Sequence, residues 1–175
     1  MDRDGTLIEE KEYLSDPEHV APFAGAADAL LSLQAAGFKL FVVTNQSGVG
    51  RGYFTMREVQ RVNDRMTQFF AQSGVRFEKF YVAPEAPGQP SRGRKPSPQF
   101  LLDARDEFEI DLAASYFIGD KLLDLECGWN AGVKKSILVR TGYGGRLESE
   151  HSDRLAAAVI VDGLPGAAKW ILNDL

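Results

Sequence analysis

Cysteine is almost missing from this chain of 175 residues: Cys127 stands alone. No intrachain disulfide can form, and a reducing compartment is the simpler setting, so the expected location is cytoplasmic. Histidine is nearly as scarce. His19 and His151 are the only two, and neither lies in a polar cluster that follows a strand. Both read as surface residues, and a Ser-His-Asp triad has nothing to recommend it. No apolar run approaches the ~20 residues that span a bilayer, and no secretory signal is visible. Positive charge is not in excess: 20 Lys and Arg face 25 Asp and Glu, for a net charge of -5. That balance argues against general nucleic-acid or anionic-membrane binding. Repeats, low-complexity segments and internal linkers are also lacking, so one domain over residues 1–175 is expected. No sustained heptad appears either, and a monomer is the default expectation.

What is present is an ordinary globular balance, 44% hydrophobic and 26% charged. Helical apolar spacing over 24–36 stops at Gly37. The apolar run 38–43 reads as a buried strand. Thr55 with Glu58 three residues later predicts a capping box, opening a helix to about Gln72. Further strands are predicted over 77–83, 115–119, 136–140 and 156–161. Helices are predicted over 98–108, 121–131 and 164–174. Strands alternating with helices imply parallel pairing through right-handed crossovers. The expected fold is therefore α/β, a three-layer sandwich around a mostly parallel, Rossmann-like sheet. Cys127 and the tryptophans Trp129 and Trp170 read as packing residues.

In open α/β sheets, ligands bind beyond the carboxyl ends of the strands. Polar clusters fall there: Asp2-Arg3-Asp4-Gly5-Thr6, Thr44-Asn45-Gln46-Ser47, and Gly119-Asp120-Lys121 with Asp124. A fourth, Arg94-Lys95-Pro96, precedes a helix. Each has an ordinary reading. Asp-Gly marks turns, Thr and Asn cap helices, Gly-Asp can open a helix, and Arg-Lys-Pro is commonly a solvated loop. Their shared position at strand ends is what points to a site. Carboxylates suit Mg²⁺, while Lys and Thr suit phosphate oxygens. Metal, cation and carboxylate nucleophile together are the set for phosphoryl transfer through an aspartyl-phosphate. Gly48-x-Gly50-x-Gly52 lacks the spacing of a dinucleotide fingerprint.

On these clusters the chain resembles the haloacid-dehalogenase-like phosphatase superfamily. The segments DRDGTLI, VVTNQSGVGRGYFT, RKPSP and IGDKLLDLECGWNAGV are similar to its branch of D-glycero-D-manno-heptose 1,7-bisphosphate phosphatases and histidinol-phosphate phosphatases. The likeness spans roughly residues 1–142. It implies that Asp2 is the nucleophile and a Mg²⁺ ligand. Asp4 would protonate the leaving alcohol, activate water, and offer its backbone carbonyl to the metal. Asp120 would complete the metal's protein ligands, and Thr44 and Lys95 would hold the phosphoryl group. Asn45, Gln46, Ser47, Arg94 and the loop Glu10-Lys11-Glu12-Tyr13 would contact substrate. Lys121 and Asp124 would orient the metal site. No large cap domain has room in the chain. The resemblance implies a phosphatase of a small phosphorylated metabolite. Heptose 1,7-bisphosphate is the first choice and histidinol phosphate the second. A polynucleotide 3′-phosphatase is disfavoured by the acidic charge. A protein that binds Mg²⁺ or phosphate without turnover is the alternative class.

Two departures stand out. Many heptose-bisphosphate phosphatases carry a Cys/His zinc loop before Arg-Lys-Pro, whereas residues 83–93 here contain neither residue type, so no zinc is predicted. The family also places an apolar strand before the nucleophile, whereas only Met1 precedes Asp2. The first strand is thus expected to be missing or truncated, with Met1 an internal methionine taken as the start. A free α-amino group would then be expected to pair with the Asp2 carboxylate.

Overall fold

All five strands pair in parallel, as the alternation of helix and strand requires. The computed structural model describes residues 1–175. In chain order the elements are α1 (Ala26–Ala35), β1 (Phe41–Asn45), α2 (Ser47–Gly50), α3 (Met56–Ala71), β2 (Lys79–Ala83), α4 (Gln99–Phe108), β3 (Tyr116–Gly119), α5 (Leu122–Ala131), β4 (Lys135–Val139), α6 (Gly144–Glu150), β5 (Val159–Val161) and α7 (Leu164–Asn173). The strands form two pieces, β1-β2 and β3-β4-β5.

Side-chain alternation builds the layers. Val42, Ile118, Ile137 and Val139 point to one face, where they pack with Leu30 and Leu33 of α1, Met66 and Phe70 of α3, and Ile171 of α7. Their neighbours Val43, Tyr81 and Phe117 point to the other face, against Leu101 and Ala104 of α4 and Cys127 of α5. Because successive residues of a strand face opposite ways, both sheet faces need a helical cover, and the result is the expected three-layer sandwich. No large cap accompanies it. Cys127 is buried, and burial pushes its thiol up to about 12. It packs as a small hydrophobe.

The strand predicted over 38–43 is found at Phe41–Asn45. Gly37 takes φ 91°, and the Phe38 N–H reaches back to Leu33 O at 3.1 Å, so the helix-terminating turn occupies those first residues. The last strand shortens to Val159–Val161, since a turn from Ala158 N–H to Leu155 O takes up the alanines before it. Helices α2 and α6 have glycine-rich sequences and escape a periodicity search. A Cβ on Gly144 would lie 1.8 Å from Val139 O, so close chain approach requires that glycine at the start of α6.

No strand lies between β1 and β3. Met1 and Asp2 alone span their facing edges. Val43 N–H donates to Met1 O and Asp2 N–H to Ile118 O, both at 2.9 Å. Below them lies a largely apolar cavity of ≈370 Å³ that includes Leu40, Phe41, Leu112, Phe117 and Ile118 in its lining. The α-amino group does not pair with the Asp2 carboxylate. It donates to Phe41 O at 3.0 Å, and burial, with Lys95 nearby, pushes it down to about 5.

Helix α3 opens as its sequence predicts. Glu58 N–H donates to Thr55 Oγ1, and Thr55 N–H donates to Glu58 Oε2 at 2.7 Å. Thr55→Ala is expected to cost about 1 kcal/mol, read as a lower urea midpoint at unchanged slope.

Candidate active site

The site begins with a tight turn. Leu7 N–H donates to Arg3 O at 2.9 Å, and Gly5 N–H to Ile8 O at 2.8 Å. Gly5 takes φ 79°, and a Cβ there would fall 2.2 Å from Asp120 Oδ2. The Asp-Gly pair is therefore more than a turn marker. It lets the chain that carries Asp2 and Asp4 lie against the carboxylate that follows β3.

Asp2, Asp120 and Asp124 are all buried, with carboxylate oxygens within 4.8 Å of one another. Lys95 answers this charge. Its Nζ lies 2.7 Å from Asp2 Oδ1 and 2.6 Å from Asp124 Oδ1. Asn45, at the end of β1, fixes the backbone of Lys95 from both sides: Lys95 N–H donates to Asn45 Oδ1 at 3.0 Å, and Asn45 Nδ2 donates to Lys95 O at 3.1 Å. Lys121 Nζ contacts Glu10 Oε2 at 2.8 Å and stands 3.7 Å from Asp120 Oδ1.

The electrostatics follow from burial and neighbours. Burial alone would raise the Asp2 carboxyl, but Lys95 and Lys121 outweigh it and hold it below the usual range. Burial would lower Lys95, yet Asp124 and Asp2 hold it firmly protonated. Burial raises Asp124, and the charge of Asp2 adds to that. Burial pushes Asp120 up to about 8, with Lys121 opposing and Asp2 and Asp124 reinforcing. Lys95 and Lys121 leave part of this cluster unmatched. Asp120 Oδ1 is buried without a hydrogen-bond partner, and the Asp4 carbonyl accepts no hydrogen bond within the protein. Oxygen donors alone, two of them unused, fit a hard divalent cation.

Asp4 faces elsewhere. Its carboxylate pairs with Arg3 and accepts from Gln46 Nε2 at 2.9 Å. Gln46 Nε2 also donates to Thr44 Oγ1 at 2.8 Å, which ties Asp4 to Thr44. A pocket of ≈410 Å³ opens above these groups. Its lining brings together Asp2, Asp4, Glu10, Glu12, Tyr13, Thr44, Asn45, Gln46, Ser47, Arg94, Lys95, Lys121 and Asp124. Lys11 is not in it: its Nζ pairs with Glu9 Oε2 at 3.0 Å. Both histidines are exposed and outside it.

Three contributors escaped the sequence. Tyr143 N–H donates to Asp120 Oδ2 at 2.9 Å, and Thr141 Oγ1 donates to Gly5 O at 2.6 Å. Both belong to the stretch that follows β4, a strand-end position like the others, and that position was the available signal. Arg3 is the third. It is fully buried between two acids of the motif.

Comparison with known proteins agrees with this geometry. The polynucleotide kinase 3 phosphatase family matches residues 1–125, and the HAD-hydrolase-like family matches residues 93–167. The D-glycero-D-manno-heptose-1,7-bisphosphate 7-phosphatase of Chlorobaculum tepidum is 40% identical over 82% of this chain and 78% of its own. The D-glycero-beta-D-manno-heptose-1,7-bisphosphate 7-phosphatase of Escherichia coli K12 is 36% identical over 100% of this chain and 87% of its own. The crystal structure of D,D-heptose 1,7-bisphosphate phosphatase from B. bronchiseptica, complexed with magnesium and phosphate, superposes with a TM-score of 0.91. It is 27% identical and covers 99% of this chain and 97% of its own.

Asp120 gives a signed prediction. Burial holds the proton of Asp120 to about pH 8 in the folded protein, whereas an ordinary carboxyl, near 3.8, releases it far lower. Without metal, this group's contribution to stability therefore declines as pH rises between those values. Asp120→Asn is expected to flatten that decline in thermal melts. A divalent cation held by Asp120 would add about 2.7 kcal/mol at 100 times Kd, and Asp120→Asn is expected to lose that increment in melts with added Mg²⁺.

Proposed function

The chain belongs to the haloacid-dehalogenase-like phosphatases, in the heptose-1,7-bisphosphate 7-phosphatase branch. From that premise we propose that it is a Mg²⁺-dependent phosphomonoesterase that removes the 7-phosphate of D-glycero-D-manno-heptose 1,7-bisphosphate. The observation that carries the reading is the Lys95-Asp2 pair at 2.7 Å, set inside a buried cluster of oxygen donors.

Asp2 is the nucleophile. Its Oδ1 is engaged by Lys95 and by Arg3 N–H at 2.8 Å, which leaves Oδ2 to attack phosphorus. The bond from phosphorus to the sugar oxygen breaks as the Asp2–phosphorus bond forms, and Asp4 gives a proton to the departing oxygen. Asp4 then takes a proton from water, water oxygen attacks phosphorus, and the Asp2 carboxylate leaves. Asp2, Asp120 and the Asp4 carbonyl would hold Mg²⁺, which would supply charge neutralisation for the phosphoryl oxygens. Lys95 supplies the same from the protein, and Thr44 Oγ1 holds the phosphoryl group. Asn45 sets where Lys95 stands. Lys121 and Asp124 orient the metal ligands. Gln46, Ser47, Arg94, Glu10, Glu12 and Tyr13 bound the space for the sugar, and Lys11 reaches solvent beside it. The pocket of ≈410 Å³ suits a small phosphorylated sugar. We place this activity in the cytoplasm, in a monomer formed by one domain over residues 1–175.

Phosphate release from heptose 1,7-bisphosphate should require Mg²⁺ and stop with EDTA. Asp2→Asn should lower kcat at least ~10³-fold, with the fold intact by circular dichroism. Histidinol phosphate should be used with kcat/KM lower by ~10² or more. Preference for histidinol phosphate would move the substrate. Mg²⁺ binding without turnover of either would identify a binding protein instead.

A further inference from the structure

Arg3 is the largest fully buried side chain of the protein, and its charge is not spent on the nucleophile. A guanidinium in that position is costly unless all its donors are met. Each of its three nitrogens donates once, to one of two partner residues. Nε donates to Asp4 Oδ2 at 3.0 Å and Nη2 to Asp4 Oδ1 at 3.1 Å, a two-pronged pairing with a neighbour in sequence. Nη1 donates to Asn63 Oδ1 at 2.8 Å. Asn63 is itself buried, on α3, a helix that places no residue in the pocket lining. Arg3 does not line the pocket either, so it cannot hold the substrate's phosphate.

The pairing is uneven. Asp4 Oδ2 takes two hydrogen bonds, from Arg3 Nε and Gln46 Nε2, at 3.0 and 2.9 Å. Asp4 Oδ1 takes one, the longest of the three at 3.1 Å. Oδ1 therefore keeps acceptor capacity that Oδ2 has used. We propose that Arg3, braced from behind by Asn63, is the positioning residue of Asp4: it ties off Oδ2 and presents Oδ1 as the oxygen that carries the transferred proton. The proposal rests on Asp4 being the acid and base of the reaction above. In that reaction the Oδ1–H bond breaks as the sugar oxygen leaves phosphorus, and it forms again with a proton of the attacking water.

A merely structural Arg3 and a positioning Arg3 differ in one measurable respect. kcat/KM reports the steps through departure of the leaving group. That departure needs a proton for a sugar alkoxide but not for p-nitrophenolate. The wild type, Arg3→Lys, Asn63→Leu and Asp4→Asn are assayed with Mg²⁺ on heptose 1,7-bisphosphate and on p-nitrophenyl phosphate, with folding checked by circular dichroism. Arg3→Lys keeps the charge but loses the two-pronged fork, and Asn63→Leu leaves Arg3 in place but unbraced. Both are expected to lose at least ~10-fold more on the sugar phosphate than on the aryl phosphate, a fraction of the ~10²–10⁴ that general acid catalysis supplies. Asp4→Asn sets the full size of that difference. Equal losses on the two substrates in the Arg3 and Asn63 variants, beside a selective loss in Asp4→Asn, would overturn the positioning role alone. Equal losses in Asp4→Asn as well would overturn the acid and base assignment on which it rests. If Arg3→Lys does not fold, Asn63→Leu decides the question by the same comparison.

Discussion

One buried ammonium allows the carboxylates at the end of this sheet to coexist. Lys95 lies within salt-bridge distance of both Asp2 and Asp124, and its backbone is gripped on both sides by Asn45. A charge at that depth is expensive unless paired, and so are the acids around it. Each therefore depends on the others being in place. The amide of Asn45 is what turns this dependence into geometry, because it links the end of β1 to the segment before α4. A nucleophilic carboxylate facing a phosphate needs such a cation nearby in any case. The group that makes the fold tolerable at this point and the group that the chemistry calls for are the same.

The second cation serves the other half of the motif. Arg3 and Lys95 divide the acids between them, Asp4 to the first and Asp2 with Asp124 to the second. Two carboxylates two residues apart thus occupy different surroundings, one near lysines, the other under a planar guanidinium and an amide. Distinct roles for chemically identical groups require that kind of separation. Gln46 joins Asp4 to Thr44 through one nitrogen that donates to both.

Most of the architecture could be read from the chain because the signals are local. Periodicity placed α1, α3, α4, α5 and α7 within a few residues, and the Thr55-Glu58 box marked the start of α3 to the residue. Strand ends drifted where turns consumed apolar residues, as at Phe38 and the alanines before Val159. Helix α6 was invisible because Gly144 answers to a contact with Val139 O, a constraint no propensity encodes. For the site, strand-end position and residue type named Asp2, Asp4, Thr44–Ser47, Arg94, Lys95, Lys121 and Asp124, and the family resemblance added Glu10, Glu12 and Tyr13. They could not tell that Asn45 braces Lys95, or that Lys11 turns to Glu9. Nor could they reveal that Arg3 points inward. A charged residue between two acids reads as solvated, and only tertiary packing against Asn63 shows otherwise.

A parallel sheet ordinarily acts as a stiff ruler, with ligand-binding loops held at spacings set by continuous ladders of hydrogen bonds. Here the ruler is cut between β1 and β3 and closed by the peptide groups of Met1 and Asp2. Thr44 lies on one half, Asp120 directly follows the other, and Asp2 is the clasp. The width of the reaction centre is thus the width of that seam. The spacing of Thr44 from Asp120 is therefore carried across two peptide groups, those of Met1 and Asp2.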